Sequence, residues 1–119
     1  MAKHYDLGKE GEQLAVTYLI EKGCKILKQN YHFQKAEIDI IAQKADTLIC
    51  VEVKTRSTDY FGNPQDFIDS KKIKLLVKAM DNYVIANDLD VEVRFDIIAI
   101  IKQDNQTKIA HIEDAFLYF

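Results

Sequence analysis

Apolar side chains recur three and four positions apart between residues 7 and 22, with Leu14, Ala15, Tyr18 and Leu19 on one side. That spacing predicts a helix, and Gly23 is a natural stop for it. The pattern then changes to runs rich in Ile and Val, at 24–31, 36–43 and 47–55, separated by short polar turns. These read as three strands. Residues 57–65 hold Gly62, Asn63 and the only proline, Pro64, and read as a loop. Asp69 or Ser70 can cap a second helix, whose apolar set Ile73, Leu76, Val77, Met80, Tyr83 and Val84 keeps the three-and-four spacing. A long strand over 91–101 and a short edge strand over 108–112 complete the chain. The order is helix, three strands, helix, strand, strand, which predicts an α/β or α+β arrangement layered around one sheet.

With 119 residues and neither repeat nor linker, the chain reads as one domain spanning 1–119. Four Gly and one Pro leave no room for a low-complexity assignment. No apolar run approaches the ~20 residues of a membrane span, and the first residues lack the apolar segment of a signal peptide. A cytoplasmic protein with no membrane association is expected. Cys24 and Cys50 have no CxxC partner, so neither a disulfide framework nor a structural zinc site is indicated, and both read as small core hydrophobes. The net charge of −3 is not that of a protein binding nucleic acid through overall basicity. It is unevenly spread: residues 1–35 carry +2, 36–53 carry −3, 54–78 carry +3 and 79–119 carry −5. Two basic segments therefore flank one short acidic strand pair.

Chemistry concentrates in that pair. In Val51-Glu52-Val53-Lys54-Thr55-Arg56, strand alternation puts Glu52 and Lys54 on one face and Val51 and Val53 on the other. The run from Leu48 to Val51 marks a buried strand, where a carboxylate is costly unless paired or metal-bound. Taken alone, Glu52 and Lys54 are also consistent with a plain ion pair on a solvent face. In the preceding strand Glu37 and Asp39 share a face, and Ile38 and Ile40 take the other. A tight turn near Lys44-Ala45-Asp46 predicts antiparallel pairing, in which Asp39 meets Glu52 across neighbouring strands. Carboxylate oxygens converging in this way suit a hard divalent cation such as Mg²⁺ or Mn²⁺. A lysine at the rim suits the charge that builds on a phosphate under attack by water.

The constellation Asp39, then Glu52-x-Lys54, resembles the signature of the PD-(D/E)XK nuclease superfamily. More broadly the chain resembles the YraN-like family, which is similar to archaeal Holliday-junction resolvases. The resemblance is carried by Gly8-Lys9-Glu10-Gly11-Glu12 with Ala15, by Asn30-Tyr31, and by Glu37-Ile38-Asp39-Ile40-Ile41-Ala42. It continues through Val51–Arg56, Ser70-Lys71 with Leu75 and Ala79, Arg94-Phe95-Asp96-Ile97-Ile98-Ala99 and Asp114-Ala115-Phe116. It implies a restriction-endonuclease-like three-layer α/β/α core with a central mixed sheet, and metal-dependent cleavage of branched or single-stranded DNA. It also implies Asp39, Glu52 and the Val53 carbonyl as ligands of Mg²⁺ or Mn²⁺, Lys54 as the catalytic lysine and Glu12 as an additional carboxylate from the first helix. No organic cofactor is implied. The chain departs from the family pattern at Ala36, where Gly is usual, and at Gln29, where an Arg and with it a phosphate contact is usual.

Several residues stay open to two readings. Glu12 lies about 90° from the centre of its helix's apolar face, beside Gly8, Ala15 and Leu19, which fits a site carboxylate or an ordinary first-turn Glu. Glu37 fits a further metal ligand or a salt bridge. Arg56, Lys71 and Lys74 fit phosphate contacts on DNA, and the lysine stripe Lys71, Lys74 and Lys78 fits a solvated helix face equally. Tyr60 and Phe61 could stack on a base or pack their loop down. Asp96 reads as a structural partner near Arg94, and His4, His32 and His111 show no ligand spacing. The closing Phe116-Leu117-Tyr118-Phe119 suits a homodimer patch or a tuck onto the core. The alternative to a nuclease is a non-catalytic module of the same fold that binds DNA or a protein partner; the acidic C-terminal third favours a protein partner or a self-contact.

Overall fold

A computed structural model of the chain describes residues 7–57 and 68–115. The expectations for His4, for Tyr60 and Phe61 with most of their loop, and for Phe116–Phe119 lie outside the described residues. The element order is α1 (Leu7–Glu21), β1 (Lys25–Phe33), β2 (Ala36–Lys44), β3 (Thr47–Arg56), α2 (Ser70–Ala86), β4 (Glu92–Gln103) and β5 (Gln106–Ile112). The five strands form one mixed sheet in the order β1-β2-β3-β4-β5. All neighbours are antiparallel except β3 and β4, which run parallel with α2 between them in the chain.

Local chemistry sets the ends of the helices. Gly23, at φ 93, closes α1: its N–H donates to the Ile20 carbonyl at 3.0 Å and the Cys24 N–H to the Leu19 carbonyl at 2.9 Å. The Asp69 carboxylate caps α2 by accepting the Lys72 N–H at 2.9 Å. Asp104 and Asn105, both left-handed at φ 52 and 64, make the two-residue turn that extends β4 and β5 beyond the predicted ends.

Each helix covers one face of the sheet. Ala15, Val16 and Leu19 of α1 pack on Ile40, Ala42, Ile49, Val51, Ile98 and Ile100. Leu76, Ala79, Met80 and Tyr83 of α2 pack on Ile41, Leu48, Cys50, Phe95 and Ile97. The predicted three layers and order are those observed. No described helix is long and apolar enough to cross a membrane.

One expectation about β2 needs correction. Ile38 and Ile40 do not share a face: Ile40 packs beneath α1, whereas Ile38, with Ala36, packs in the cluster beneath α2. The alternation slips at Asp39, where β2 stops pairing with β3. On the other side, Asn30 sits at φ 52 between the pairs Gln29↔Ile40 and Tyr31↔Ile38. A strand losing one partner and facing a left-handed residue on the other turns there, and its side chains change layer.

Candidate active site

The site begins where β2 and β3 part. Their ladder runs from Lys44↔Thr47 to Ile40↔Val51 and ends, so Asp39 and Glu52 come one step beyond the last pair. Here the Asp39 carboxylate replaces a ladder carbonyl. Its Oδ2 accepts the Val53 N–H at 2.8 Å, which satisfies the donor freed by the diverging strands and fixes the carboxylate against β3. Glu52 pairs with Ile97 of β4 and faces α2, as do the apolar residues Cys50 and Ile97.

Both helices add to the same spot. A Cβ at Gly11 would collide with Thr55 Oγ1, so glycine lets the start of α1 lie directly on the end of β3, with Glu12 beside it. The first turn of α2 supplies Lys71 and Lys72. The result is an open cavity of about 600 Å³ whose walls include Glu12, Glu37, Asp39, Glu52, Lys54 and Lys72, together with Arg56 and Lys71.

Burial dominates the electrostatics. The Glu52 side chain is 3% exposed, and its Oε1 meets Lys72 Nζ at 3.0 Å. Its Oε2 is buried with no hydrogen-bond partner among the described residues. Burial, and then the charge of Asp39, push the Glu52 carboxyl up to about 7 despite the opposing pull of Lys72. Burial raises Asp39 as well, against the Val53 N–H, Lys72 and Lys54. Burial lowers Lys54, and the neighbouring Lys72 charge adds to that effect. For Lys72 burial works downward too, but the Glu52 charge and hydrogen bond outweigh it and hold the ammonium above its ordinary value.

The structure thus brings Glu12, Glu37, Asp39, Glu52, Lys54, Arg56 and Lys71 around one cavity, while Lys74 is exposed and does not line it. Among the described residues no three His, Cys, Asp or Glu side chains group closely enough to hold a metal by themselves. Glu37 is largely exposed and sits 3.6 Å from His32 Nε2. The partner considered for Glu52, Lys54, is not the one found; the ion pair comes from Lys72 across the layer. Lys72 stands in the run Lys71, Lys72, Lys74 and Lys78 and was not among the residues the sequence pointed to. The available signal was its phase, since Lys72 is one turn ahead of Leu76 on the buried stripe that continues through Ala79 and Tyr83.

Asp96 shows the opposite kind of buried carboxylate. It is 0% exposed, and both oxygens are filled. Oδ1 accepts from Arg94 Nε at 2.9 Å and from the Asp114 N–H at 3.1 Å, and Oδ2 accepts from Arg94 Nη2 at 2.9 Å and lies 2.7 Å from His111 Nε2. His111 in turn lies 3.0 Å from the Tyr18 hydroxyl on α1. Burial pushes Asp96 up, but the bonds from His111, Arg94 and Asp114 outweigh it and hold the carboxyl below its ordinary value. Its role is structural, as its position beside Arg94 suggested.

A family model described as "Uncharacterised protein family UPF0102" matches residues 11–100. A UPF0102 protein of Christiangramia forsetii is 63% identical over 119 residues, covering the whole of both chains. One from Flavobacterium psychrophilum is 61% identical, again over the whole of both. Among solved structures, Hjc from Archaeoglobus fulgidus, described as a Holliday junction resolvase, superposes with a TM-score of 0.49 at 14% identity. That superposition covers 90% of this chain and 77% of Hjc.

Proposed function

The chain belongs to the uncharacterised protein family UPF0102, the YraN-like family its motifs pointed to, and we propose that it is a divalent-metal-dependent nuclease that hydrolyses phosphodiester bonds in branched or single-stranded DNA. One observation carries this reading. Of the two buried carboxylates on the central strands, Asp96 has both oxygens satisfied, whereas Glu52 keeps Oε2 buried and, among the described residues, unpartnered beside a second carboxylate. A buried, unfilled acceptor is costly; Glu10 Oε1, in the ion pair with Lys102, is another, but the one on Glu52 stands beside a second carboxylate on the cavity wall. A hard cation taking oxygen ligands fits that vacancy and the mutual repulsion of Asp39 and Glu52.

In this reading Asp39 and Glu52 would hold Mg²⁺ or Mn²⁺ with the Val53 carbonyl, and Glu37 is a further candidate ligand. The cation supplies activation of the attacking water and neutralisation of the leaving oxygen. Lys54, half-buried on the same face, opposes the charge that develops on the phosphate. Arg56 and Lys71, exposed at the cavity, hold backbone phosphates, and Glu12 adds a carboxylate from α1.

Titration calorimetry with Mn²⁺ tests the site. Asp39→Asn keeps an acceptor for the Val53 N–H, so the variant should fold and yet lose Mn²⁺ binding. Burial and the Asp39 charge push the Glu52 carboxyl up to about 7, so below that pH a proton competes with Mn²⁺. Its affinity should fall by roughly tenfold per pH unit there and level off above it, with protons released on binding. Equal Mn²⁺ binding by wild type and Asp39→Asn would remove the metal site and leave the binding-module alternative.

A further inference from the structure

A carboxylate buried to receive a divalent cation must also be tolerated before the cation arrives. We propose that Lys72 is a placeholder for that cation: its ammonium neutralises Glu52 in the metal-free protein and is displaced into the cavity, toward the substrate phosphate, when the cation is taken up. This rests on the reading of Asp39 and Glu52 as a divalent-cation site and assigns that site its loading step.

The geometry of the pair is that of a releasable contact. Lys72 reaches one oxygen, Oε1 at 3.0 Å, and leaves Oε2 without a partner among the described residues. Its own side chain is 40% exposed while that of Glu52 is 3% exposed, so the lysine has somewhere to go and the carboxylate does not. The backbone beneath it is pinned, since the Lys72 N–H donates to the Asp69 cap at 2.9 Å. Only the flexible four-carbon stem has to move. At Asp96, by contrast, the partner is a guanidinium whose Nε and Nη2 engage both oxygens, a planar fork suited to a permanent pair. Lysine, a compact point charge on a flexible stem, suits an exchangeable one.

Charge gives the direction of the exchange. Asp39 and Glu52 are faced by Lys54 and Lys72 around the cavity. A divalent cation added to that set satisfies both carboxylates and repels both ammonium groups. Lys72 is the one in ion-pair contact with Glu52, so it is the one displaced. It then lines the cavity beside Arg56 and Lys71 as an additional phosphate contact.

Two measurements test the exchange without relying on cleavage. Lys72→Met removes the competitor but also its downward pull on the Glu52 carboxyl, so the comparison is made on the high-pH plateau of each protein. There the variant's Mn²⁺ affinity should exceed that of wild type by about tenfold, the scale of one charge-assisted hydrogen bond. Unchanged or weaker affinity would overturn the proposal. The second measurement uses the wild-type chain and stands even if Lys72→Met does not fold. With lysines reductively methylated using ¹³C-formaldehyde, which keeps their charge, the Lys72 methyl resonance is assigned by its loss in Lys72→Arg. It should shift as Mg²⁺ is added, with the midpoint of the binding heat, and should not shift in Asp39→Asn. A Lys72 resonance that stays in place while wild type binds Mg²⁺ would show a permanent pair and overturn the proposal. Absence of metal binding by wild type would instead refute the site beneath it, and the proposal with it.

Discussion

Lys54→Met should fold and take up Mn²⁺ and DNA much as wild type does, yet cut DNA at a rate lower by a factor on the order of 10² or more. That factor is typical for loss of one preorganised donor aimed at developing charge. The expectation follows from where the lysine sits. The ion-pair partner of Glu52 is Lys72, so removing Lys54 does not strip the buried carboxylate of its direct counter-charge. Lys54 is instead half-buried with its pKa lowered by burial and by Lys72, a positive group held in reserve against charge that appears only during attack. Lys54→Arg should be nearly as slow, because a broad planar guanidinium does not present its charge as one compact ammonium does. Single-turnover cleavage, measured beside Mn²⁺ binding and thermal melting, separates these effects. A folded Lys54→Met protein that cuts at the wild-type rate would refute the catalytic assignment.

The largest effect on stability should come from the other buried carboxylate. Asp96→Ala leaves Arg94, His111 and the Asp114 N–H without their acceptor, and with them the tie from β4 through His111 to Tyr18 on α1. Breaking a buried network by removing one partner costs about 3–5 kcal/mol, a large part of the stability of a domain this size. The midpoint of thermal unfolding should fall by roughly 10–20 °C. Because the folded-state pKa of Asp96 is held down, its contribution is present above the ordinary carboxylate range and is lost as the pH falls through the lowered folded value. The gap between wild type and Asp96→Ala should therefore narrow in acid. A change of less than about 1 kcal/mol in denaturant unfolding would show that the network is not a stabilising unit.

The layers were legible because hydrophobic period reports which face is buried. Leu76, Ala79, Met80 and Tyr83 fall at helical spacing and do cover the sheet, and Ile49 and Val51 alternate with Leu48 and Cys50 into opposite clusters. The pairing of β2 with β3 was legible from the short turn at Ala45, and it puts Asp39 and Glu52 at neighbouring positions. Periodicity assumes that a strand stays regular, so it misplaced Ile38, which lies past the point where Asp39 bonds to Val53 N–H. It also treats each element separately. Lys72 was hidden because its partner lies in another layer, and a lysine in a run of four looks like solvated surface until the turn carrying it is placed over Glu52. His111 was hidden for the same reason, since its bonds reach Asp96 on β4 and Tyr18 on α1.

Incubation of the purified protein with labelled four-way junctions, flaps, single strands and plain duplexes, in Mg²⁺, Mn²⁺ or EDTA, tests the nuclease assignment most directly. Cleavage of a branched or single-stranded substrate is expected with Mg²⁺ or Mn²⁺, and it should be lost in EDTA and in Glu52→Gln. Binding of these DNAs with no cleavage in either metal, or cleavage that survives both EDTA and Glu52→Gln, would contradict it.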